Sequence, residues 1–219
     1  MLEGVTSTVQ KTASRFPLPS SRVAALDAHR DALLRCRRCV LGAGIAPVAS
    51  RARNPQVMLV GQAPGKVEAD GGVPFAGRAG KTLFSWLARI GLDEKTAREQ
   101  IYISAVTRCF PGPHPSGRGD RVPSKSEQAQ CADWLESELR IIQPRLLIPV
   151  GRLAIERFLP RLPLDELIGT KRSVVHAGGQ SIVIPLPHPS GASSWFYQND
   201  NKQLLDRAIQ LIGTELGRI

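Results

Sequence analysis

RLLIPVGRLAIERFL, residues 145–159, runs from an apolar stretch, Arg145–Val150, through a single glycine into Arg152–Leu159, whose apolar residues return at helical spacing. A strand that feeds a helix across one glycine is the unit of a parallel sheet. The same alternation recurs outward along the chain. Strand candidates are Gln56–Gly61, Ile101–Thr107, Arg145–Val150 and Ser181–Leu186, and helix candidates are Gly80–Ile90, Ser126–Ile142, Arg152–Leu159 and Asn201–Leu216. Gly91 stands where the first of these helices should stop. Strand then helix, four times over, with apolar runs suited to burial on both faces, predicts an α/β fold: one domain with a central four-stranded, mostly parallel sheet flanked by helices. An amphipathic helix over Leu26–Arg38 precedes it, residues 1–25 form a flexible N-terminal extension, and the domain spans 26–219.

The length, 219 residues at 42% hydrophobic, suits one such core. No run of about 18 apolar residues and no apolar leader core is present, so an intracellular, cytoplasmic protein without a membrane partner is expected. Lys and Arg exceed Asp and Glu by 29 to 19, a net charge of +10, which points to a polyanionic partner. A solubilising charge excess is the competing explanation.

Sites in parallel sheets gather at the carboxyl ends of strands. That rule selects Gln62–Ala79, Arg108–Lys125, Gly151 with Arg152, and His188–Trp195. The last segment lies in PLPHPSGASSW, residues 185–195, where Pro187 and Pro189 stiffen the chain around one imidazole. An imidazole held so can donate a hydrogen bond to an oxygen that gains charge as a bond breaks; a loop-capping histidine is the bland alternative. Ser190–Ser194 are small enough to let a nucleic acid backbone approach, and Trp195, Phe196 and Tyr197 could enter a base stack or simply pack the last helix.

GRAGKT, residues 77–82, imitates a phosphate-binding loop, but Phe75 occupies the position of its first glycine, so nucleotide hydrolysis is not expected. The four cysteines are Cys36 and Cys39 in CRRC, Cys109 at the end of the second strand and Cys131 in the following helix. An intracellular chain rarely uses cysteines for disulfides, and an all-thiolate set suits zinc or an iron-sulfur cluster, with four unrelated thiols as the alternative. No His-x-Glu precedes the CxxC, which disfavours a zinc base deaminase.

GQAPG at 61–65, PFAGRAG at 74–80, YISAVTRC at 102–109, HPS at 188–190 and the four cysteines together resemble the iron-sulfur uracil-DNA glycosylases of families 4 and 5, over about residues 26–216. The resemblance implies an enzyme that flips uracil or another deaminated base from DNA and cleaves its N-glycosidic bond. It implies a four-iron four-sulfur cluster on Cys36, Cys39, Cys109 and Cys131, zinc being the alternative. Phe75 would stack on the base, with Gly61, Ala63 and Ala105 around it, and Gln62–Gly65 would position the water. His188 would stabilise charge on uracil O2, while Ser190, Gly191, Ser193, Ser194 and Trp195 would meet the DNA.

Three departures stand out. Gln62 replaces the usual family 4 glutamate, leaving Glu68 or Asp70 to substitute; Ala105 replaces an asparagine that reads uracil; and Arg78, Ala79 and Gly80 lack the family 5 aspartate. Weaker uracil selectivity follows. The loop at 110–125 contains His114 but no KRRIH-like sequence, so covalent trapping of DNA is not expected. A monomer is expected. The rival functions are a cluster-bearing DNA-binding protein that has lost catalysis and a redox protein whose cluster is its working part.

Overall fold

Every residue of Val57–Gly61 (β1) is buried, so both faces of this strand need cover and both edges need partners. The computed structural model, which describes residues 19–117, 119–190, 195 and 199–219, supplies them. Strand β1 pairs in parallel with Ile101–Ala105 (β2) on one side and Leu146–Pro149 (β3) on the other. Strand β3 continues in parallel to Gly179–Val183 (β5), and β5 pairs antiparallel with Arg172–His176 (β4). The described residues thus form a five-stranded sheet in the order β2-β1-β3-β5-β4, not the expected four.

The extra strand is the antiparallel edge. Its residues alternate between half-buried and exposed, with Val175 79% exposed, because only one of its faces is covered. It lacks the continuous apolar run that marks the interior strands.

Helix α1, Ser20–Leu34, starts earlier than expected and packs against α5. The others are α2 (Lys66–Gly71), α3 (Arg78–Ala88), α4 (Glu94–Gln100), α5 (Lys125–Ile142), α6 (Arg152–Ile155), α7 (Leu164–Leu167) and α8 (Asn199–Leu216). Helix α3 buries Leu83, Phe84, Trp86 and Leu87 and ends at Ala88, and Gly91, at a φ of +80°, closes the turn that follows. Helix α5 begins at Ser124: its hydroxyl accepts from the Glu127 N–H at 3.2 Å, and the Glu127 carboxylate accepts from the Ser124 N–H at 2.7 Å. Arg121 grips that carboxylate at 2.6 and 2.8 Å, and this hydrogen bonding, with that from Ser124, holds the Glu127 carboxyl down at about 2. Helix α6 is shorter than expected, giving way to turns before Pro160.

The core runs along both faces of the sheet. Met58, Leu59, Tyr102, Leu146, Leu147 and Ile148 are all but inaccessible, and each aliphatic side chain so buried contributes about 1.5–3 kcal/mol. A smaller cluster of Leu33, Ala49, Cys131 and Trp134, with Cys36 against it, lies between α1 and α5. No helix among the described residues is long and apolar enough to cross a membrane.

Candidate active site

The parallel strands deliver their carboxyl ends to one edge of the sheet. Beyond β3 and β5 the pairing continues as a bridge between Val150 and Leu186, and the Gly151 N–H donates to the Leu186 carbonyl at 2.9 Å. That bridge fixes the chain just ahead of His188. Gly151 has a φ of +83°, and a Cβ there would fall 3.0 Å from Cδ2 of the His188 ring and 3.3 Å from its Cβ. The imidazole therefore lies directly on the glycine.

His188 is half-buried. Its Nδ1 accepts from the Ser190 N–H at 3.2 Å and stands 2.9 Å from the Ser190 hydroxyl. An Nδ1 that accepts leaves the ring proton on Nε2. Burial also pushes the imidazole below its ordinary pKa, so near neutral pH the ring is uncharged and donates through Nε2.

Ser190, expected to meet DNA, is thus brought to His188 as its orienting partner. Gly191, Ser193 and Ser194, with Phe196 and Tyr197, lie outside the described residues. Trp195 is half-buried against the main core, and its carbonyl accepts from the Asn201 side-chain amide at 2.8 Å.

A cleft opens beside the ends of β1 and β2. Gly61, Ala63, Phe75 and Ala105, the expected base-binding residues, all line it, with Val48, Pro64, Pro74, Ile103 and Ser104. A Cβ on Gly61 would approach Cε2 and Cζ of Phe75 to 3.1 Å, so the ring lies against bare backbone. Ser104 is the one polar side chain of the lining, and its hydroxyl already donates to Glu138 at 2.8 Å. A ligand in the cleft would meet apolar surface and main-chain groups. Gln62 and His188 lie outside this lining.

The loop after β1 is tied down by a carboxylate. Glu68 accepts from the Gly65 N–H at 3.1 Å through Oε2 and from the Gly77 N–H at 2.8 Å through Oε1, joining GQAPG to the Phe75 loop. Gln62 is half-buried, and its carbonyl accepts from the Thr107 N–H at 3.1 Å. Asp70 is exposed and pairs with Lys66 at 2.6 Å. Of the two carboxylates offered as substitutes for a glutamate at 62, one is a backbone clamp and the other faces solvent.

A third carboxylate escapes the sequence reading. Asp120 follows a tight excursion closed by a bridge to Pro113, and its Oδ2 lies 3.0 Å from where a Gly65 Cβ would stand. The residue is exposed overall, and partial desolvation of its carboxyl and then Glu68 raise it above the ordinary aspartate value. No ion pair to it occurs among the described residues. Its sequence signal is weak: one acid in a glycine-rich loop, far along the chain from Gly65. His114 in the same loop is exposed and its Nδ1 stands 2.8 Å from the Ser116 hydroxyl.

The four cysteines are free thiols that line one cavity, with Arg38, Thr107, Arg108, Glu127, Gln130 and Trp134 among its walls. Burial, then Cys131, Cys39 and Cys36, push the Cys109 thiol up to about 12. The sulfurs are therefore close enough to repel one another when ionised, which is the situation that a bound cationic centre relieves. Among the described residues no three His, Cys, Asp or Glu side chains converge on a single ion position.

Behind both cavities lies a buried polar knot. Glu138, fully inaccessible, accepts from the Tyr102 hydroxyl at 2.9 Å, the Ser104 hydroxyl at 2.8 Å and the Arg108 guanidinium at 2.5 Å, with His29 Nε2 at 3.5 Å. Burial favours a neutral carboxyl, yet Arg108, His29 and Ser104 outweigh it and hold Glu138 below the ordinary glutamate range.

The comparison with known proteins agrees with this arrangement. The chain is 32% identical over 165 residues to the type-4 uracil-DNA glycosylase of Archaeoglobus fulgidus, covering 72% of this chain and 78% of that one. To the type-4 uracil-DNA glycosylase of Sulfurisphaera tokodaii it is 26% identical, covering 85% and 83%. To the type-5 uracil-DNA glycosylase of Pyrobaculum aerophilum it is 30% identical, covering 63% and 62%. The family model described as the uracil DNA glycosylase superfamily matches residues 48–212, from the wall of the base-sized cleft to the last helix, and the chain belongs to that superfamily.

Proposed function

We propose that the protein is a monofunctional DNA glycosylase that rotates uracil, and other deaminated bases, out of DNA and hydrolyses the N-glycosidic bond to leave an abasic site. The observation that carries this reading is the uncharged His188 ring, its Nδ1 engaged by Ser190 and its Nε2–H left to donate. Relatives named uracil-DNA glycosylases support it.

In the reaction the bond from C1′ to the base nitrogen breaks and its electron pair passes into the base, collecting on O2. His188 Nε2–H donates to that oxygen without having to lose its proton. Phe75 stacks on the base, with Gly61, Ala63 and Ala105 as the remaining walls. Water then adds to C1′ and releases a proton. The Gln62 amide can orient that water but cannot take the proton, and we assign the proton to the Asp120 carboxylate beside Gly65. Since Ser104 is committed to Glu138 and the Ala105 side chain offers no polar atom, main-chain groups alone read the base edge beyond the His188 contact at O2, and the spectrum extends beyond uracil.

Cys36, Cys39, Cys109 and Cys131 would hold a four-iron four-sulfur cluster, with zinc as the alternative; the all-thiolate donor set around one cavity suits it. Such a cluster ties the segment after α1, the end of β2 and α5 together. The DNA would lie on the segment Ser190, Gly191, Ser193, Ser194 and Trp195, drawn by the net charge of +10. We place the protein in the cytoplasm, as a monomer.

The test is a cleavage assay on single- and double-stranded oligonucleotides carrying uracil, hypoxanthine, xanthine or thymine opposite guanine, developed with alkali. Uracil strands should be cut, and His188→Ala should slow cutting by roughly 10²–10³-fold. Gln62 favours a second reading, a DNA-binding protein without catalysis. Binding without any cleavage by the parent protein would establish that one instead.

A further inference from the structure

The aromatic wall of the cleft is held in a conformation that its own chain disfavours. Phe75 has a φ of +51°, in the left-handed region that a bulky residue seldom enters. Gly80 permits it: a Cβ there would lie 1.8 Å from the Phe75 carbonyl oxygen. Permission is not restraint.

The restraint comes from α4. Arg98 donates through Nη1 to the Pro74 carbonyl at 2.7 Å and through Nη2 to the Phe75 carbonyl at 3.0 Å. Its guanidinium carbon stands 4.5 Å above the Phe84 ring, and its Nε donates to Glu94 at 2.9 Å. The group is thus fixed from three sides and presents two parallel N–H bonds to consecutive carbonyls, which a lysine ammonium cannot copy. Arg98 does not line the cleft.

We propose that Arg98 is a positioning residue that clamps the left-handed turn at Phe75 and so sets the ring over the flipped base. The proposal rests on the reading that Phe75 stacks on that base. Arg98 acts only through Phe75, so its effect on the reaction disappears when the ring is gone.

The experiment is a double-mutant cycle: parent, Arg98→Lys, Phe75→Leu and the double variant, with single-turnover rates and half-saturating concentrations on a uracil oligonucleotide. Hydrogen exchange of the amides in residues 75–77 is measured without DNA. Arg98→Lys should lose on the order of tenfold to a hundredfold in efficiency beside Phe75 and almost nothing beside Leu, while exchange at 75–77 accelerates. Equal losses in both backgrounds, or unchanged exchange, would overturn the clamp. If Phe75→Leu is as active as the parent, the stacking reading fails and the clamp's catalytic consequence with it, while the exchange still reports on the clamp itself.

Discussion

Two side chains carry the proposed chemistry, and each is set by small neighbours. His188 keeps its proton on Nε2 because the Ser190 amide occupies Nδ1, and its ring rests on Gly151 because no side chain stands there. Asp120 gains its place from Gly65 in the same way. Its raised pKa has a kinetic sign: the ionised carboxylate accepts the proton of water, so the rate falls as pH drops through that raised value. Glu68 is the group facing it that shares in the shift, and Arg121 is turned away to Glu127. Asp120→Asn should therefore lower the single-turnover rate and remove the acid limb of its pH profile while leaving DNA affinity intact. An unchanged profile in the variant would assign the limb to another group. Phe75, Gly61, Ala63 and Ala105 were legible through the GQAPG, PFAGRAG and YISAVTRC motifs that carry the family resemblance, not through any local period. Asp120 and Arg98 were not, since each reaches the site only through a tertiary contact that no local spacing records.

Among the elements, β1, β2 and β3 could be read because their runs are apolar and buried on both faces, and β5 because an apolar run closes it. Strand β4 could not, because it is covered on one face only and carries Arg172, Ser173 and His176 in place of an apolar run. The short helices α2, α4 and α7 carry too few turns to show a period, and α4 holds the Arg98 clamp. Between the chain just beyond β2 and helix α5 lies a buried ion pair, Glu138 with Arg108. Removing one partner of such a pair strands the other's charge, so Glu138→Gln should destabilise the fold by roughly 3–5 kcal/mol in urea unfolding. The sign with pH is fixed by the depressed Glu138 pKa: its stabilisation is present above the unfolded value near the ordinary glutamate range and is lost as pH falls through the folded value. The variant should lack that acid dependence. A variant as stable as the parent would mean that Arg108 finds a new partner.

At the scale of the whole molecule, the cysteine cavity joins parts that the sheet alone leaves separate: the segment after α1, the end of β2 and the first turns of α5. Iron and acid-labile sulfide should therefore be found with the purified chain, and Cys109→Ser should lose both together with several degrees of melting temperature. Zinc in place of iron would replace the cluster with a mononuclear centre. The extension of β2 is the feature with the widest reach. Ser104 and Ala105 wall the base-sized cleft, and Thr107, Arg108 and Cys109 wall the cysteine cavity, on one uninterrupted run of backbone. The two chambers stand back to back with Glu138 bolted through the partition, so nothing insulates the cysteine cavity from the cleft. Oxidation of the thiols should then disturb the cleft wall at Ser104 and Ala105 as well.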